Sequence, residues 1–127
     1  MGGVTYDTGA LVAGERNDRS MWALHAGFLA EEVAPVVPAP VLAEAWRGGA
    51  RQASLSRLLA MCDVEPMTEE QARQVGVLAG KAAHDDVVDV TVVEGAIRRR
   101  DAIVTSNEDH IRRVADAARV RLSIQRI

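Results

Sequence analysis

Val4-Thr5-Tyr6-Asp7-Thr8-Gly9-Ala10-Leu11-Val12-Ala13 is the stretch on which the fold turns. Val4 to Tyr6 reads as a short buried strand, and the residues after Asp7 turn into the start of a helix. An aspartate therefore stands where a strand hands over to a helix. The same pattern recurs down the chain. Between Arg19 and Glu32, Met21, Trp22, Leu24, His25, Phe28 and Leu29 return at helical spacing, with Asn17 or Asp18 available as the cap. Val33 to Val37 is a second β-branched run. Pro38-Ala39-Pro40 ends it before a helix that carries Leu42, Glu44, Ala45 and Trp46 and stops at Gly48-Gly49.

A further helix is expected over Gln52 to Met61, and a third strand at Asp63-Val64-Glu65, bounded by Pro66. Thr68-Glu69-Glu70-Gln71 reads as a capping box opening a helix that runs to Ala83. The next helix spans Asp86 to Arg100 and places Arg98-Arg99-Arg100 where the macrodipole favours cations. Ala102 to Thr105 is a fourth strand, Glu108 to Arg119 a last helix, and Arg121 to Ile127 a closing strand. Strands alternating with helices imply a three-layer α/β fold around a mostly parallel sheet. Ligands of such sheets sit outside the carboxyl ends of the strands. With 127 residues and no repeat or linker, a single domain spanning 1–127 is expected.

Composition narrows the classes. Hydrophobic residues make up 48% and charged residues 26%, ordinary for a globular chain, whereas aromatics are only 3%, so the core must be aliphatic. The apolar runs fall short of a membrane span, and no basic-then-apolar leader pattern opens the sequence, so a cytoplasmic protein without a membrane partner is expected. Cys62 is the one cysteine, which rules out an internal disulfide and a thiolate zinc cluster. A net charge of −3 argues against simple electrostatic binding of nucleic acid. Carboxylates gathered in one cleft to hold cations would lower the total just as well, and fourteen of the fifteen basic residues are arginines, whose planar fork suits phosphate.

Three of the acidic residues stand in apolar surroundings: Asp7 after its strand, Glu44 within Val41-Leu42-Ala43-Glu44-Ala45-Trp46, and Asp89 within Val87-Val88-Asp89-Val90-Thr91-Val92-Val93. A carboxylate so placed needs a pairing charge, hydrogen bonds or a metal. Ordinary roles are open to each. Asp7 is a good N-cap, and Glu44 has Arg47 and Arg51 within helical reach. Asp89 has the fewest alternatives, and Asp86 lies one turn before it on the same helix face, where a cation between them would relieve their repulsion. All three fall where strands pass to helices. Carboxylate oxygens without cysteine or a paired histidine motif select Mg2+ or Mn2+ over zinc. His25, His84 and His110 lie far apart in the sequence and read as structural or exposed; Trp46 reads as core.

Tyr6-Asp7-Thr8-Gly9-Ala10-Leu11, Pro40-Val41-Leu42-Ala43-Glu44-Ala45-Trp46, Asp86-Val87-Val88-Asp89-Val90 and Ile103-Val104-Thr105-Ser106 together resemble the PIN-domain family, most closely its VapC-type toxins. The resemblance implies a Mg2+- or Mn2+-dependent endoribonuclease of a toxin-antitoxin system, a homodimer, and inhibition by a VapB-like antitoxin. By position it makes Asp7, Glu44 and Asp89 the metal ligands and catalytic acids, with Thr8 and Thr105 in support. One departure stands out. The position of the family's fourth acid is Asn107, whose amide oxygen can coordinate a hard cation but brings no charge. Asp109 or Asp86 could supply that charge, and an acid in the first turn of a helix is also ordinary for Asp109. The alternative reading is a catalytically weak or inactive PIN scaffold that binds RNA or a partner peptide through its acidic groove. Asp7-Thr8-Gly9 also matches the aspartic-protease triplet, but that enzyme needs a β-rich dimer.

Overall fold

The computed structural model describes residues 2–127. Five strands and seven helices alternate: β1 (Val4–Tyr6), α1 (Thr8–Glu15), α2 (Arg19–Ala30), β2 (Val36–Pro38), α3 (Ala39–Ala45), α4 (Ala53–Leu59), β3 (Asp63–Glu65), α5 (Glu69–Ala82), α6 (Val87–Arg99), β4 (Ala102–Thr105), α7 (Glu108–Ala117) and β5 (Ile124–Arg126). The strands form one sheet in the order β3-β2-β1-β4-β5, and every pairing is parallel. The expected α/β fold is what forms.

Connectivity fixes where the helices go. From β1 the chain steps outward to β2 and β3, then crosses back over the sheet to β4 and steps the other way to β5. Parallel crossovers are right-handed, so the two directions of travel put their helices on opposite faces. Accordingly α1 packs against α2, α3 and α4, while α5, α6 and α7 pack on one another. The direction reverses between β1 and β4. In an open parallel sheet that reversal leaves a crevice outside the carboxyl ends of the two strands, and Asp7 and Ser106 are the residues that follow them.

Burial of aliphatic side chains drives the assembly. Leu11, Leu55, Leu58, Val90, Val92, Val93, Ile103, Val104 and Ile111 are fully buried, and Tyr6 is the one aromatic residue in the fully buried set. Burying each such side chain stabilises by about 1.5–3 kcal/mol. The phenol of Tyr6 stays satisfied because its hydroxyl meets His25 Nδ1 at 2.8 Å, and desolvation holds the His25 pKa down.

Several boundaries move from their expected places. β2 begins at Val36 and includes Pro38, which needs no amide hydrogen there and also stands at the N-cap of α3. Gln52 belongs to a short 3-10 turn, Ala50–Gln52, ahead of α4, and its side chain binds the Arg47 and Gly48 amides. Asp18 caps α2 through the Met21 amide. Thr68 caps α5 through the Gln71 amide, but Gln71 turns its own side chain to Glu94 at 2.9 Å, so only half of the capping box forms. Arg121 to Ser123 stay outside β5. Trp46, read as core, is 42% exposed because α3 ends at Ala45 and turns the indole away from the sheet.

Helix α5 stops by a left-handed turn at Ala83, φ 49°, with the His84 amide reaching back to the Ala79 carbonyl. A Cβ in that conformation costs roughly 1–2 kcal/mol, which glycine avoids. Ala83→Gly is therefore expected to raise stability, by about 0.5–1 kcal/mol after the entropy cost of glycine, as a higher midpoint in urea denaturation with an unchanged slope.

Candidate active site

The crevice at the strand reversal is a cleft of about 640 Å³ whose walls include Asp7, Thr8, Arg16, Glu44, Asp86, Asp89 and Asn107. Four segments distant in sequence supply them. Asp7 leaves β1, Glu44 projects from α3, Asp86 and Asp89 open α6, and Asn107 follows β4. Asp109 is exposed on the first turn of α7 and does not line the cleft.

Asp7 is buried, 4% exposed, and both of its oxygens are occupied. Oδ1 accepts from the Thr8 amide at 2.8 Å, which caps α1, and Oδ2 accepts from the Thr105 hydroxyl at 2.7 Å. Capping and cleft lining are thus combined in one residue. Desolvation raises its pKa, the two hydrogen bonds oppose that shift, and the negative charges of Asp89 and Glu44 raise it further. Among the described residues no lysine or arginine pairs with Asp7, Glu44 or Asp89.

A second buried aspartate shows what ordinary satisfaction looks like in the same fold. Asp101, 6% exposed at the amino end of β4, accepts from Thr5 Oγ1 at 2.7 Å and the Gly3 amide at 2.8 Å, and pairs with Arg99 at 2.9 Å. Arg99 in turn meets Glu65, which Arg98 also binds. Both of these carboxylates come with guanidinium partners. Those of the cleft come without.

Glu44 is exposed rather than enclosed by its apolar neighbours, and it bonds neither Arg47 nor Arg51; Thr8 Oγ1 donates to its Oε1 at 2.6 Å. Asp86 lines the same cleft as Asp89. Its Oδ1 caps α6 by accepting from the amides of Val88 and Asp89. Asp89 is 6% exposed, and its Oδ2 lies 2.9 Å from His84 Nε2 and 3.3 Å from His110 Nδ1. Those two histidines, read from the sequence as unconnected, meet at this carboxylate. No spacing rule could have joined residues 26 apart that tertiary packing alone brings together. Asn107 donates its backbone amide to Thr105 Oγ1, and its side-chain nitrogen lies 2.8 Å from His110 Nδ1.

The walls are close because one of them lacks a side chain. A Cβ at Gly9 would lie 2.1 Å from Ser106 Oγ and 2.8 Å from Ser106 Cβ, so only glycine lets the segment after β1 lie against the segment after β4.

Comparison with known proteins fits this geometry. Residues 4–117 match the family model described as PIN domain. The chain belongs to the PIN-domain family. Among solved structures it is similar to VapBC2 from Rickettsia felis bound to a DNA fragment from their promoter, with a TM-score of 0.75, 15% identity, and 97% of each chain covered. No curated protein sequence matches it significantly. In this PIN domain the donor set facing the cleft is carboxylate oxygen with an amide oxygen nearby, which suits a hard divalent cation.

The uncompensated charge predicts a stability cost. Asp7→Asn keeps the cap and removes a desolvated charge beside two others, so in metal-free buffer it should gain on the order of 1 kcal/mol, or about 3–5 °C in Tm. The raised Asp7 carboxyl takes up its proton more readily when folded, so wild-type stability recovers as pH falls through that raised pKa. The advantage of Asp7→Asn should be largest near about pH 7 and shrink toward about pH 4, which thermal melts across pH would read.

Proposed function

We propose that this PIN domain is a Mg2+- or Mn2+-dependent endoribonuclease, the toxin of a toxin-antitoxin pair. The observation that carries the reading is the convergence of Asp7, Glu44 and Asp89 on one cleft with no lysine or arginine bonded to them among the described residues. Asp7 and Asp89 are buried like charges with no guanidinium or ammonium group bonded to them, and a functional site is where such a cost persists.

Asp7, Glu44 and Asp89 would hold the ion, with Asn107 available as a neutral oxygen donor. A divalent cation bound there supplies charge stabilisation at the phosphoryl oxygens and makes water more acidic. The protein contributes orientation. Thr105 and the Thr8 amide fix the plane of the Asp7 carboxylate, the Thr8 hydroxyl fixes Glu44, and His84 fixes Asp89. Arg16, exposed on the cleft wall, offers a guanidinium to a phosphate flanking the scissile one. Single-stranded or looped RNA is the substrate class proposed, since an open cleft with splayed walls accepts an unpaired strand. Likeness to the VapBC2 pair supports a VapB-like antitoxin as partner, and a homodimer is the assembly that the resemblance to VapC-type toxins implies.

Purified protein with Mn2+ or Mg2+ should cleave RNA, and Asp7→Asn or Asp89→Asn should lower the rate by about 100-fold or more while the fold is kept. Absence of cleavage with either ion, together with equal behaviour of wild type and Asp89→Asn in a growth-arrest assay, would leave a binding scaffold instead.

A further inference from the structure

The cluster behind the acidic cleft has a different donor chemistry from the cleft itself. His84 Nε2, Asp89 Oδ2 and His110 Nδ1 lie within 4.8 Å of one another. They come from three places: the connection after α5, the first turn of α6, and the first turn of α7. His84 and Asp89 are buried, while 48% of the His110 side chain is exposed, which leaves an approach from solvent.

Three side chains share a small set of donor atoms. His110 Nδ1 has Asp89 Oδ2 at 3.3 Å and the Asn107 side-chain nitrogen at 2.8 Å. The two rings meet edge to face, with centroids 5.5 Å apart, and both nitrogens lie beside Oδ2. Donors around a zinc-like ion at about 2.0–2.2 Å stand roughly 3.3 Å from one another, close to the separations found here. Two imidazoles and one carboxylate prefer a borderline ion such as Zn2+ over the hard ions suited to the cleft.

We propose that His84, His110 and Asp89 form a second metal site, selective for imidazole-binding divalent ions. Both histidines address Oδ2 of Asp89, and Asp89 also lines the acidic cleft, so one carboxylate belongs to both sites. Occupancy ties α7 to α6 through side chains that otherwise meet at a single oxygen. The proposal does not depend on nuclease activity, because neither histidine is required to bind the ion of the acidic cleft.

Zn2+ titrated into the metal-free protein by calorimetry, with thermal melts in parallel, tests it. Wild type should bind one equivalent and melt at a higher temperature. The double variant Asp7→Asn/Glu44→Gln, which disarms the cleft, should bind Zn2+ about as tightly, and His110→Ala should bind it at least about tenfold more weakly. His84→Gln keeps a buried polar group and should show the same loss, with circular dichroism confirming its fold. The proposal is overturned if wild type binds no Zn2+. It is equally overturned if binding disappears in the double variant and survives in His110→Ala, because the ion would then sit in the cleft. RNA cleavage assayed with Mg2+ alone reports on the nuclease reading separately.

Discussion

Parallel pairing of Tyr6 with Val104 brings together two strand ends that lie 98 residues apart, and it does so at the point where the sheet changes direction. The amide of Asp7 continues the ladder by donating to the Val104 carbonyl at 3.0 Å, and the Thr105 hydroxyl then reaches the Asp7 carboxylate. Backbone pairing thus becomes a side-chain contact at the mouth of the crevice. Because the strands are only three and four residues long, a slip of register by one residue would carry the side chains of one strand to the opposite face of the sheet as well as separating Asp7 from Thr105. Hydrophobic burial and the geometry of the site are secured by the same hydrogen bonds.

That constraint explains the uneven treatment of charge across the molecule. At the amino end of β4, Asp101 and its neighbours are matched by Arg98 and Arg99 from the last turn of α6, where cations are favoured by the helix dipole as well. The cleft acids Asp7, Glu44 and Asp89 meet hydroxyls, amides and imidazoles only. The protein therefore carries one set of acids, Glu65 and Asp101, matched by guanidinium groups, and a cleft set that is not.

Much of this was legible in the order of residues. Short β-branched runs followed by helical periodicity reveal a parallel sheet, and Asp7, Asp18 and Thr68 cap helices as their types and positions suggest. Local rules failed where the decisive neighbour was distant. Gln71 abandoned its own helix start for Glu94, and Glu44 found Thr8 rather than an arginine one turn away. The meeting of His84 and His110 at Asp89 belongs to the same class. It depends on a left-handed stop at Ala83 and on how α7 lies against α6, and neither leaves a periodic trace. Trp46 misled because a helix end, not hydrophobicity, decided its exposure.

Gly9 carries no functional group, yet its lack of one sets the gap between two walls of the cleft. Any side chain there would drive Ser106 outward and take Thr105 and Asn107, its neighbours in the chain, with it. Mutational tolerance in this protein is therefore not ordered by chemical reactivity. A position that contributes nothing but vacant space is as restricted as the acids on either side of it, and libraries that diversify the cleft need to hold it fixed.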